Sequence, residues 1–358
     1  FGSPSVLMMF HRRSGTLDAE LAAMNECMPH YYRITQGHGQ GAELLMNAEA
    51  AFMQGNFSDA QILLEQTYST IASNGQHNIS LCCDFLAARL SLFQEGVTFV
   101  KNPEVKRKEL LSLHNMMWLN IFDSTYAYYY ALIRMPEKIP ALFKDHMLST
   151  VSFLSPCRPM MEMIENQVFL SQKMYAKVIG RSETLLPVCE KMHYELVSLH
   201  VQIQTASAYA MLGKHHDARQ LLQKALGHAM PDGFLIPFVE NYTYIKDVLG
   251  SINSITPEPF TDRILSLGSV YEQHCLRLSS RNYRPEILNM LNSREAEIAA
   301  LITDRLSNRE IAERLFLSEG TVKQYVNQIY SKLMINGDTR TKRKQLAELI
   351  SSINKGLT

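Results

Sequence analysis

The chain has 358 residues, 46% of them hydrophobic and 20% charged, with a formal net charge of zero. This length accommodates two or three domains and a sizeable core, and the lack of any run of twenty apolar residues argues against a membrane-spanning helix. Cysteines at 27, 82, 83, 157, 189 and 275 show neither C-x-x-C spacing nor a paired framework, so they read as free thiols of a reducing cytoplasm.

The first residues, FGSPSVLMMFHRR, lack the charge, apolar core and small-residue cleavage order of a signal peptide. Because the chain opens with Phe1, we expect it to be a fragment of a longer protein. From Leu17 to about Leu278 the apolar residues recur at three- and four-residue spacing, as in Ala42, Leu45, Met46 and Phe52 or Leu196, Leu199 and Ile203. Strand signals are scarce, so the fold class is all-α. Gly37-His38-Gly39-Gln40-Gly41 is not a phosphate loop, since no strand precedes it and no G-x-x-x-x-G-K-[ST] occurs in the chain. We expect a flexible break there.

Two stretches show a repeat unit. Gly55 and Gly213 are each followed five residues later by Ala60 and Ala218 and preceded seven residues earlier by Ala48 and Ala206. Small residues at these spacings let two antiparallel helices approach closely while the glycine turns the chain between them. This resembles the tetratricopeptide pattern, with Tyr209, Leu222 and Ala225 at matching positions, and implies a superhelix of stacked hairpins with an inner surface.

The stretch 114–133 holds the single tryptophan, Trp118, with Tyr126, Tyr128, Tyr129 and Tyr130. Tyrosines at successive helical positions cannot all face one core. Trp118, Tyr126, Tyr129 and Tyr130 are candidates for a ligand or partner groove, although ordinary packing between repeats is the favoured reading. His215 and His216 fall in an expected inter-helix turn, and neither they nor His11, His30 and His38 have metal-ligand spacing; we expect no metal and no cofactor. Asp232-Gly233 marks a further turn. In RLSSRNYRPEILN, residues 277–289, Ser279, Ser280, Asn282 and Pro285 discourage a continuous helix. We expect a helical-repeat domain over 1–276, a hinge-like linker over 277–290 and a small domain over 291–358.

That small domain has the strongest pattern. Ile298, Leu301 and Ile302 define the inner face of a first helix starting near Ser293, and Ile311, Ala312 and Leu315 that of a second. The second opens with a capping box between Ser307 and Glu310. Phe316, Leu317 and Ser318 separate it from a third helix with Ser318 as N-cap and Val322, Val326, Ile329 and Leu333 facing inward. Two helices joined by so short a turn make a helix-turn-helix. Lys323, Gln324, Asn327 and Gln328 occupy the outward strip of the third helix, and all can donate to base edges or phosphates. From Thr321 onward seven Lys or Arg face two acids, a local basic excess in a chain of zero net charge. Such an excess is the footprint of nucleic-acid binding.

LNSREAEI followed by LSNREIAERLFLSEGTVKQYVNQIYSKL resembles the DNA-binding domain of LuxR-type bacterial transcription regulators. The resemblance implies base contacts from Lys323, Gln324 and Asn327 and phosphate contacts from Ser318, Thr321 and Tyr330; we add Lys332 to the phosphate set. Arg305 stands where the family usually has Gly, and Tyr325 where it usually has His. Together with the repeats and the segment FLIPFVENYTYIKDVL, the domain resembles the C-terminal part of MalT-like regulators, which implies an ATPase module ahead of the repeats. The expected function is a cytoplasmic transcription regulator that binds double-stranded DNA as a dimer, with a small-molecule or protein effector sensed by the repeats. Dimer pairing is expected near Leu346, Leu349, Ile350 and Ile353. The alternative is a helical-repeat adaptor whose terminal unit contacts protein such as RNA polymerase. An enzyme is disfavoured, because no nucleophile constellation, metal spacing or phosphate loop occurs.

Overall fold

The computed structural model describes residues 3–72, 76–94, 96–97, 103–151, 153–304, 306–333, 335, 337–338 and 341–347, with backbone alone at 280–290, 293 and 296. Helices are the regular elements among them. In chain order the α-helices are α1 (Val6–Phe10), α2 (Leu17–Ile34), α3 (Ala42–Met53), α4 (Phe57–Ala72), α5 (His77–Leu90), α6 (Pro103–Ser112), α7 (Met116–Leu132), α8 (Ala141–Lys144) and α9 (Arg158–Ser171). They continue with α10 (Tyr175–Met192), α11 (Glu195–Met211), α12 (His215–Ala229), α13 (Ile236–Glu240), α14 (Tyr242–Ile255) and α15 (Pro259–Met290), then α16 (Ser293–Thr303), α17 (Asn308–Leu315) and α18 (Glu319–Lys332). None of the described helices is long and apolar enough to cross a membrane. The chain divides into two compact units, Phe1–Cys275 and Leu276–Thr358.

In the larger unit most helices pack against their chain neighbours. The pairs α3–α4 and α11–α12 carry the repeat signature. Ala48, Ala60, Ala206 and Ala218 are fully buried between them, so the helices approach at a distance that a larger side chain would prevent. Gly55 and Gly213 take left-handed backbone, with φ of 80° and 74°, which lets the chain reverse without a Cβ penalty. His215 and His216 open α12 instead of lying in the turn before it. The glycines at 37, 39 and 41 form an ordered turn: the Gly39 N–H donates to Gln76 Oε1 (3.0 Å) and the Gly41 N–H to the Tyr32 hydroxyl (3.1 Å).

The early and late hairpins of this unit also meet one another. The Leu235 N–H donates to the Met53 carbonyl (2.8 Å), and α1 packs on both α3 and α11. At the core, Arg89 makes a two-pronged pair with Glu240, Nε to Oε1 at 2.7 Å and Nη2 to Oε2 at 3.0 Å. The Tyr128 hydroxyl donates to the same carboxylate (2.9 Å), and the rings of Phe52, Phe85 and Tyr128 surround the guanidinium. A charge pair this deep persists because hydrogen bonds fill the carboxylate and aromatic faces replace water around the cation. It fixes α5, α7 and α13 to one another.

Two expectations need correction here. Tyr126 is only 3% exposed and belongs to the core, so it does not line a groove. Trp118 is half-buried and committed, its indole N–H donating to Asn78 Oδ1 (2.5 Å) with its ring on His77, while Tyr129 and Tyr130 pack edge to face. Successive tyrosines are accommodated by packing between helices on several sides of α7. Secondly, no helix break occurs at Ser279–Pro285, since α15 runs to Met290. An internal proline removes one backbone hydrogen bond at a cost of about 3 kcal/mol, which a helix with intact turns on both sides can absorb without ending.

Candidate nucleic-acid interface

The smaller unit is built on three caps. Asn292 accepts from the Arg294 and Glu295 N–H groups at the start of α16, and Glu295 returns the bond to the Asn292 N–H (2.7 Å). Ser307 and Glu310 form the same reciprocal box at α17, as the sequence spacing predicts. Ser318 accepts from the Thr321 N–H (3.0 Å) to start α18. Between α17 and α18 the chain turns through Phe316 in left-handed backbone (φ 54°), and the Leu317 N–H closes on the Ala312 carbonyl (2.9 Å). Glycine would be more comfortable at that φ; Phe316 holds it with its ring 97% exposed.

Ile298, Ala299, Ile302, Ile311, Val322, Val326 and Ile329 form the buried core of this unit. With Val322, Val326 and Ile329 inward, the 3.6-residue period turns Lys323, Gln324, Asn327 and Gln328 outward, and all four are exposed. Lys323 and Asn327 lie one turn apart, as do Gln324 and Gln328, so the four make a single polar strip. Ser318 is exposed and Thr321 half-buried at the N-terminal end of that strip, their hydroxyls 2.7 Å apart. The unsatisfied N–H groups of a helix start favour an anion beside them.

Other sequence candidates sit elsewhere. Tyr330 is only 6% exposed and joins the core; its ring faces Lys342, and burial raises its phenol pKa against the lowering influence of Arg343. A phosphate contact from a side chain so enclosed is not supported. Lys332 donates to Glu295 Oε2 at 2.7 Å, tying the end of α18 to the start of α16. Burial alone would raise the Glu295 pKa, but the Lys332 ammonium and the Asn292 N–H outweigh it and hold the carboxyl below its ordinary value. Arg343 is similarly engaged, donating to Asn308 Oδ1 (2.9 Å) and to the Leu306 carbonyl. Part of the basic excess counted in the sequence is thus structural. Leu346 is fully buried in this unit's own core and not on a pairing surface; Leu349, Ile350, Ile353 and Arg305 lie outside the described residues.

Two further supports hold these helices together. Arg294 donates from Nη2 to the Leu315 carbonyl (2.8 Å), fixing α16 against the end of α17, and Asn292 caps α16. The Asn292-x-x-Glu295 spacing was a readable capping signal; the reach of Arg294 to Leu315 was not, because it depends on how the helices pack.

Three helices with a short turn before an exposed polar third helix define a helix-turn-helix domain. Residues 289–343 match the family model for bacterial regulatory proteins of the luxR family, so the C-terminal unit carries a LuxR-type helix-turn-helix domain. Similar curated proteins are the transcriptional regulatory protein LnrK of Bacillus subtilis (strain 168), 33% identical over 30% of this chain and 49% of that protein, and DegU of Brevibacillus brevis, 45% identical over 15% and 22%. The transcriptional regulatory protein DesR of Bacillus subtilis (strain 168) is 36% identical over 18% of this chain and 38% of its own length. The chain thus spans less than half the length of the curated relatives it matches. No solved structure matches the chain significantly.

Proposed function

We propose that the chain is a DNA-binding transcription regulator in which Lys323, Gln324 and Asn327 read base edges in the major groove while Ser318 and Thr321 meet the phosphate backbone. The observation that supports this best is the strip itself: four exposed donors on the helix after the turn, on a core that keeps their backbone rigid. Amide side chains can pair two-pronged with adenine and a lysine with guanine, which a purely solvated face has no reason to favour. The three similar regulatory proteins support the same reading. The helical unit is the part that senses a small-molecule or protein effector, and two copies bind a two-fold site, since one helix reads only a few base pairs.

A second reading, in which the domain contacts a protein such as RNA polymerase, draws on Phe316, whose ring stands in solvent at the turn. Salt dependence separates the two. Fluorescence anisotropy of the whole chain on duplex DNA should show log affinity falling with log salt at about −0.9 per phosphate neutralised. Affinity that is absent, or flat against salt, overturns the DNA reading.

A further inference from the structure

We propose that the helical unit binds a small organic anion with a hydroxylated body, a sugar phosphate or a hydroxycarboxylate, in the cavity between residues 12–20 and helices α10 to α12. The proposal deepens the reading of this unit as the sensor and rests on it.

The cavity has a volume of about 660 Å³, within the range that encloses a metabolite. It is formed by parts of the chain far apart in sequence. One wall is the segment before and at the start of α2, held in place by four long-range hydrogen bonds. Arg12 Nη1 donates to the Met192 carbonyl (2.9 Å) and the Ser14 hydroxyl to the His228 carbonyl (2.7 Å). The Gly15 and Leu17 N–H groups both donate to the buried carboxylate of Asp232, at 2.6 and 3.0 Å. Together these bonds fix the strap against the end of α10, the last turn of α12 and the turn that follows it.

Of the three carboxylates on the walls, two are already committed and Glu190 is open. Glu20 is filled by His11 Nδ1 (2.7 Å), the Arg12 N–H (2.9 Å) and the Thr16 hydroxyl (2.9 Å), and Glu195 pairs with His228 (2.8 Å). Arg13 on the strap and Lys224 on α12 also line the cavity, and neither side chain has a hydrogen bond or ion pair among the described residues. Two exposed cations on the lining of one concavity raise the local concentration of anions there. Glu190 and Ser198 on the same lining are suited to hydroxyl groups of the ligand body.

The cavity also contains a buried amide with an unmet need. Gln202 is 3% exposed; its amide N–H donates to the Ser198 hydroxyl (3.1 Å), while its Oε1 is buried with no donor among the described residues. A buried carbonyl oxygen left unpaired destabilises the fold unless some state supplies a donor. Gln202 is on the cavity lining, so a ligand hydroxyl is the donor we assign to this oxygen. Beside it Cys189 is a neutral wall, its thiol pushed up to about 12 by burial.

Isothermal titration of the whole chain in the absence of DNA tests the site, with glucose 6-phosphate and citrate as anionic probes and glucose as the neutral control. We expect at least one anion to bind in the millimolar range or tighter and glucose not to bind. The Arg13→Ala/Lys224→Ala variant, altered only at exposed positions, should bind at least about tenfold more weakly. Lys108→Ala on α6 should bind as wild type. Lys224→Glu, checked for an unchanged melting midpoint, gives an independent loss should the double variant fold poorly. Absence of binding by both anions at about 10 mM, equal binding by glucose, or unchanged affinity in both cavity variants overturns the proposal. Repeating the DNA titration with the cavity saturated keeps the two readings apart: unchanged DNA affinity upholds the site while removing the sensor role.

Discussion

Replacing Lys332 by alanine distinguishes a strut from a phosphate contact. Its ammonium meets Glu295 at 2.7 Å, where the carboxylate side chain is 2% exposed and the lysine 42%. Breaking a fully buried pair costs about 3–5 kcal/mol, and with one partner open to water the loss falls to about 2 kcal/mol. A domain of this size holds about 5 kcal/mol in total, so the population in which it opens should rise roughly thirtyfold. Amide hydrogen exchange of α16 to α18 in the whole chain reads that population. We expect faster exchange across all three helices in Lys332→Ala and substantial recovery in Lys332→Met/Glu295→Gln, where no buried charge is left alone. Unchanged protection, with a DNA-binding salt slope shallower by about 0.9, would refute the strut and return Lys332 to the phosphate set.

Further expectations concern charge and packing. Glu295 has a folded pKa below its ordinary 4.5, so its contribution is present above that value and lost as pH falls through the lower, folded one; exchange in α16 should accelerate below about pH 4.5 in wild type and less so in Glu295→Gln. Glu49 behaves oppositely. Burial raises it to about 7 despite the Leu7 N–H at 2.6 Å, so its stabilising influence is present below the ordinary 4.5 and lost as pH rises through about 7. Glu49→Gln should therefore raise the melting midpoint at pH 8 and leave it nearly unchanged at pH 4.5, and a loss at pH 8 would count against this. Val326→Asp should melt the small domain while the larger unit keeps its own transition, because a charge would enter a site 4% exposed with no partner; retained protection in α18 contradicts that.

The small domain was largely legible because its determinants are local. Caps three residues apart, a turn of fixed length and a 3.6-residue period specify which face of α18 is open, and the strip Lys323–Gln324–Asn327 follows from Val322 and Val326 pointing inward. The Gly55 and Gly213 hairpins were legible for the same reason. What escaped depends on distant partners. Asp232 reads as a turn residue until Gly15 and Leu17 arrive from the other end of the unit, and the Arg89–Glu240 pair joins residues 151 positions apart. Lys332 and Arg343 look like free cations in a basic tail, yet packing brings Glu295 and the Leu306 carbonyl to them. Pro285 does not end α15, because helical turns on both sides offset a penalty that is local to the proline.

Base reading by α18 is tested by measuring the affinity of wild type and Asn327→Ala for a duplex selected from random sequence and for a scrambled duplex at one salt concentration. We expect the variant to lose about 1–3 kcal/mol on the selected duplex and almost nothing on the scrambled one, because Asn327 is exposed on the strip and bears no load in the core. Equal loss on both duplexes, or no loss on either, would contradict a strip that reads bases.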